Sequence, residues 1–333
     1  MDWKTYLGHP RQREWFRNAI VSGRLASTFL LVGADAIGKR TFARVVAKTL
    51  LCTSSPPEKF SPCGVCETCV QIEAGTHPDF IQIAKQRDKT SLSIDQFIGP
   101  EENRMREGFC YEIRMRPYSG RRKIAVIDDA DTIGVEAANS LLKTLEEPPP
   151  GSVIFLISTS LQRQLLTIRS RCQVVRFQGL SPEDLSVLAL RCELTNNPEE
   201  AKRIGVMANG SMAAFEILLD ENLREFRQQI HRQLMTQPLD ISKFAKGILA
   251  NVDSVGSDSQ SKRERLKLLI DFAQSMFAHQ MREMAAKDDP RIERRLEAIQ
   301  RCLDAKMHVD RIVAPAALVE AWAADLASIM SAG

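Results

Sequence analysis

The chain has 333 residues, 44% hydrophobic and 26% charged, with a formal net charge of +3 at pH 7. That is ordinary globular composition; it excludes disordered and fibrous classes and leaves room for two or three domains. So mild a charge does not mark a nucleic-acid binder by itself, and an aromatic content of 6% argues against all-β folds and stacking platforms for single strands. No apolar run reaches the ~18–20 residues that cross a bilayer, and the start lacks a basic stretch followed by an apolar one. A soluble, cytoplasmic protein is the expectation.

Along the first half, short apolar runs alternate with amphipathic stretches. Strands are expected at Thr28–Val32, Asp79–Ala84, Lys123–Asp128, Val153–Ser158 and Val174–Phe177, with helices such as Lys39–Leu51 and Val135–Glu147 between them. That alternation predicts an α/β core, a mainly parallel sheet covered on both faces. Pro148, Pro149 and Pro150 stop the second helix, because proline cannot continue the backbone ladder. Beyond Gly179 no strand-like run appears. Ser181-Pro182 opens a helix with a serine cap and proline at the first position, Asn209-Gly210-Ser211 breaks another pair, and Asn251–Gln260 reads as a polar loop before the charged start at Lys262. Three divisions follow: an α/β core over 1–180, a small helical lid over 181–224, and a C-terminal helical domain over 225–333.

Thr28–Val32 runs into Gly33-Ala-Asp-Ala-Ile-Gly38-Lys39-Arg40-Thr41 and then into a helix. Strand, glycine-bounded loop and helix form the setting of a phosphate-binding loop, in which backbone N–H groups and the helix N-terminus face phosphates and Lys39 adds a point charge. The position after the lysine should carry a magnesium-binding hydroxyl, but Arg40 stands there. Thr41, one place later, is turned by about 100° on a helix and is not expected to substitute. The strand Lys123–Asp128 ends in Asp128 and Asp129, the acids that would reach magnesium and orient the attacking water. Asp129 is one methylene shorter than the usual glutamate. ATP or ADP binding is compatible with this loop; magnesium and fast hydrolysis are not expected.

Eight cysteines are present, and Cys52, Cys63, Cys66 and Cys69 fall within eighteen residues. Two CxxC steps sharing Cys66, with a turn-rich return from Cys52, suit a closed tetrahedral Zn²⁺ of structural character. An iron–sulfur cluster and reduced, unliganded thiols are the alternatives. His77 is read as structural rather than as a further ligand.

Ala137-Ala-Asn-Ser-Leu-Leu-Lys-Thr-Leu-Glu-Glu-Pro-Pro149, the Ser170-Arg171-Cys172 triplet, Gly8-His9-Pro10-Arg11-Gln12, the cysteine cluster and His77-Pro78-Asp79 together resemble bacterial clamp-loader ATPases of the AAA+ class, strongly over 1–180 and by architecture beyond. Within that class the altered loop, the Asp-Asp pair and the arginine-free Gly210–Phe215 stretch resemble a non-motor subunit more than a gamma/tau-type motor. The resemblance implies that Arg171 reaches a neighbouring subunit's nucleotide as an arginine finger. It also implies hetero-oligomeric partners: gamma/tau-type and delta-type subunits, the sliding clamp and primed DNA. Two other functions remain open, an active motor ATPase of the same class and a zinc-dependent nucleic-acid-binding module. Arg104, Arg106, Arg114, Arg116, Arg121, Arg122 and Lys123 make a locally basic stretch, either a solvated face or a contact to primed DNA. Arg291–Arg301 is read as an exposed helix face, and Met207, Met212 and Met281 as helix core candidates.

Overall fold

The computed structural model describes residues 2–86, 89, 91–119, 121–285, 292–309 and 314–331. They form two compact units, Met1–Leu218 and Leu219–Gly333.

In the first unit, chain order runs α1 (Pro10–Val21), β1 (Thr28–Val32), α2 (Lys39–Leu51), α3 (Glu67–Ala74), β2 (Phe80–Ile83), α4 (Asp95–Ile98), α5 (Phe109–Glu112), β3 (Lys123–Ile127), α6 (Val135–Glu146), β4 (Ser152–Ser158), α7 (Leu166–Arg169), β5 (Gln173–Arg176), α8 (Pro182–Arg191), α9 (Pro198–Met207) and α10 (Met212–Leu219). The five strands lie in the order β2-β3-β4-β1-β5, and every pairing is parallel. Every residue of β1, β3 and β4 is buried, as expected of strands covered on both faces. Side-chain alternation splits the core in two: Phe29 and Leu31 join Phe16, Phe42 and Phe155 on one face, while Leu30 joins Ile127, Leu141 and Ile154 on the other. The strands and the helix Lys39–Leu51 thus form where the apolar periodicity placed them, within a residue or so at the ends.

Several expectations need correction. Lys123 does not belong to the solvated basic face: it is buried, and its ammonium donates to the Glu112 carbonyl at 2.8 Å. Arg104, Arg106, Arg114, Arg116 and Arg121 are exposed, although Arg121 Nη1 also donates to the Cys52 carbonyl. Met207, Met212 and Met281 are half-buried rather than core. Helices α8–α10 belong to the same compact unit as the sheet, and three hydrogen bonds show why: Met212 N–H to Ala36 O, Leu180 N–H to Gly210 O, and Arg191 Nη1 to Thr5 O.

The second unit holds α11 (Glu221–Met235), α12 (Ile241–Asp253), α13 (Ser259–Ala285), α14 (Ile292–Val309) and α15 (Pro315–Ser331). Its core includes Phe244, Phe277, Leu326 and Trp322, and Lys306 pairs with Asp271 at 2.6 Å. The expected division at Arg224 falls inside α11, because Asp220 caps that helix by accepting from Asn222 N–H and Leu223 N–H. The loop expected over Asn251–Gln260 shrinks to 254–258, since α12 continues to Asp253 and Asp258 accepts from Ser261 N–H to start α13. Arg291 lies outside the described residues; the rest of its stretch is helical and partly exposed. Among the described residues no helix is long and apolar enough to cross a membrane.

Candidate functional site

The loop between β1 and α2 is shaped by its glycines and braced from the N-terminal segment. A Cβ on Gly33 would come within 2.5 Å of the Phe177 carbonyl, so only glycine fits there, and Gly38 caps α2 at φ +97°. His9 Nε2–H donates to the Ile37 carbonyl at 2.7 Å, and Tyr6 Oη donates to the Gly38 carbonyl at 3.4 Å. Both rings are buried. Burial holds the His9 imidazole below its ordinary range and pushes the Tyr6 phenol up, so both are neutral braces. The Lys39 ammonium folds back onto the carbonyls of Gly33 and Ala34. Burial lowers its pKa, against the opposing charges of Asp35, Asp128 and Asp131.

The acids after β3 have three different fates. Asp128 faces Arg40, whose Nε lies 3.5 Å from Asp128 Oδ2. Burial raises the Asp128 carboxyl and Arg40 opposes that shift. Asp129 adopts a left-handed backbone at φ 52°, and its carboxylate accepts from Lys85 N–H at 3.3 Å. Asp131 accepts from Ser158 Oγ, from Thr159 N–H and Oγ1, and from Gln164 Nε2. Burial raises its pKa, but these hydrogen bonds outweigh it and hold the carboxyl below the usual range. A cleft of about 400 Å³ brings together Lys39, Arg40, Thr41, Asp128 and the apolar Leu7, Leu180, Leu188 and Met212. Met212 opens α10, in the arginine-free stretch after Gly210.

Arg171 lies elsewhere. It follows α7 and precedes β5, and Thr28 Oγ1 at the start of β1 donates to its carbonyl at 2.7 Å. Its guanidinium pairs with Glu146 at the end of α6 and donates to Thr167 O at 2.9 Å and Ser170 Oγ at 3.2 Å. The side chain keeps 27% of its surface accessible, and its buried Nε has no hydrogen-bond partner. In this chain taken alone, Arg171 forms a local ion pair.

All four clustered cysteines are free, and their Sγ atoms lie within 4.8 Å of one another. Cys52 Sγ stands 3.6 Å from Cys63 Sγ and 3.9 Å from Cys66 Sγ. Four sulfurs around one ion at Zn–S bonds of ~2.3 Å would be roughly 3.8 Å apart, so the donor set fits tetrahedral zinc. Cys66 N–H points at Cys63 Sγ at 3.2 Å, a donor that favours thiolate charge. His77 is not among these ligands; its Nδ1 accepts from Asp79 N–H at 3.0 Å. The module is tied to the cleft helix, because Cys52 is the C-cap of α2 and the buried Lys48 of α2 pairs with Glu73 of α3.

Sequence reasoning thus found the loop, the acids and the thiol cluster but missed His9, Asp131 and Glu146 as partners. His9 and Glu146 lay within motifs already quoted, and Asp131 stood one turn beyond the strand-end acids. No local signal said what each would touch.

With this geometry in hand, comparison with known proteins is decisive about kinship. Residues 8–181 match the family described as DNA polymerase III, delta subunit. The chain belongs to that family. It is 31% identical to DNA polymerase III subunit delta' of Bacillus subtilis over 66% of this chain and 62% of that protein. It is 33% identical to subunit delta' of Pseudomonas aeruginosa over 66% of this chain and 65% of that protein. It is also 33% identical to DNA polymerase III subunit gamma of Buchnera aphidicola, over 77% of this chain and 68% of that protein. The matched region spans a little under two thirds of the two delta' relatives. The chain is thus similar to both the delta' and the gamma subunits of DNA polymerase III.

Proposed function

We propose that this chain is a delta'-type stator of a sliding-clamp loader: a subunit that completes the ring of loader subunits and donates Arg171 to a neighbour's ATP site. The observation that carries this reading is the placement of Arg171 relative to the chain's own cleft. In a parallel sheet the C-terminal strand ends lie together, and here they carry the phosphate loop and Asp128. Arg171 precedes β5, at the opposite edge, a strand length of about 16 Å away. An arginine placed there serves another polypeptide's phosphates, where a finger supplied in trans contributes ~10³–10⁵ in rate. Helices α8–α10 act as the lid and α11–α15 as the oligomerisation collar. The four thiolates hold one structural Zn²⁺, and gamma/tau-type and delta-type subunits, the clamp and primed DNA are the partners.

The chain's own cleft is not a motor. Arg40 replaces the hydroxyl, Asp129 is engaged with Lys85 N–H, and Met212 lies where a sensing arginine would be useful. Turnover by the purified chain tests this: ATP hydrolysis should be negligible, and steady turnover of ~1 s⁻¹ or more would make it a motor instead. The Arg171–Glu146 pair favours one second reading, in which Arg171 is a local strut. Arg171→Ala would then impair assembly of the loader rather than its hydrolysis.

A further inference from the structure

An arginine that serves another polypeptide's phosphates must present its N–H donors outward. In this chain taken alone, Arg171 turns them inward. Nη1 donates to Thr167 O at 2.9 Å and to Ser170 Oγ at 3.2 Å, both on the turn that leads up to it, and Nη2 is paired with the Glu146 carboxylate. The guanidinium is folded back on its own chain, and the side chain keeps only 27% of its surface accessible.

This seat is a weak one. Arg171 Nε is buried without a hydrogen-bond partner, and a buried donor left unmade carries a desolvation cost that turning toward solvent removes. Glu146 is half-exposed, so water screens its hold on the arginine. The backbone beneath is firm by contrast. Thr28 Oγ1 donates to the Arg171 carbonyl at 2.7 Å, and Arg171 N–H donates to Ile168 O at 3.1 Å. A side chain held loosely on a fixed backbone can exchange poses through its own torsions, with no unfolding of α7.

We propose that Glu146 is a latch on Arg171: it keeps the guanidinium folded back until a neighbouring subunit's triphosphate, with more negative charge than one carboxylate, draws it away. The proposal rests on the reading of Arg171 as a donated arginine and names how that residue is regulated. The exchange is of one anion for another around the same planar fork. It restrains hydrolysis while the subunits are loosely apposed and matters little once the neighbour's phosphates are seated. A half-exposed pair can impose a restraint of no more than about fivefold.

The test is steady-state ATP hydrolysis by loaders reconstituted with Glu146→Gln, which keeps the side chain's shape and removes its charge, after size-exclusion chromatography confirms assembly. The loader alone should hydrolyse about two- to fivefold faster than the unmodified one, and its rate with clamp and primed DNA added should change by less than about twofold. The double variant Glu146→Gln, Arg171→Ala should be as slow as Arg171→Ala. An unchanged rate for the loader alone would show that the pair restrains nothing, and a slower one would show that Glu146 orients the arginine; either overturns the latch. Acceleration that survives in the double variant overturns it too, because the effect would then bypass Arg171. Failure of the donor reading is seen separately: Arg171→Ala by itself would hydrolyse at the unmodified rate, and the latch would fall with it.

Discussion

Two arginines stand at opposite ends of β1, each paired with a carboxylate, and the two pairs differ in what surrounds them. Arg40 meets Asp128, whose side chain is 21% exposed, in the cleft at the C-terminal edge of the sheet. Arg171 meets Glu146, which is 50% exposed, at the N-terminal edge. The first pair occupies the cleft beside Lys39 and draws on a carboxylate that burial alone would leave costly to ionise. The second is a surface tether, worth ~0–1 kcal/mol and easily exchanged for a stronger anion such as a phosphate. Under the proposed function, the first residue would disable the chain's own site and the second would serve a neighbour's.

The contrast can be sharpened at either end. The largest expected effect is at Arg171: if it is donated as proposed, Arg171→Lys in a reconstituted loader should lower ATP hydrolysis by ~10²-fold or more, because an ammonium cannot reproduce the planar fork. Hydrolysis assays on purified assemblies measure this, and near-complete rescue by lysine would mean that only charge is needed. Next comes the cysteine module, which is tied to the phosphate-loop helix, since Cys52 caps the far end of the helix that begins with Lys39 and Arg40. Elemental analysis should find about one zinc per chain, and Cys66→Ser should remove it and destabilise the first unit by about 3 kcal/mol or more in denaturant titrations. Iron in place of zinc would reassign the site. The smallest effect belongs to the tether. Glu146→Ala should change stability by less than ~1 kcal/mol, because the pair is half-exposed. A larger loss would show that Arg171 is a structural strut.

Much of this was legible in the sequence because it is local. The apolar runs dictated β1, β3 and β4, the loop from Gly33 to Lys39 declared its backbone requirement, and the CxxC steps preset the sulfur cluster. What was not legible depends on tertiary proximity. Arg40 read as a defect, and only the fold shows that it finds Asp128. Arg171 read as free to reach outward, yet alone it rests on Glu146. Lys123 read as part of a basic face, although as the first residue of a buried strand it turns to the Glu112 carbonyl. The helices after Gly179 showed as a change of texture, but their docking on the sheet runs through backbone bonds such as Met212 N–H to Ala36 O, which carry no side-chain signature.

The proposed function has this chain supplying an arginine to another subunit's nucleotide while its own cleft does no chemistry. The most direct measurement compares steady-state ATP hydrolysis by loaders reconstituted with Arg171→Ala and with Lys39→Ala, after confirming assembly by size-exclusion chromatography. Hydrolysis should fall by ~10³-fold with Arg171→Ala and change by no more than about twofold with Lys39→Ala. The reverse pattern, hydrolysis lost with Lys39→Ala and kept with Arg171→Ala, would contradict it.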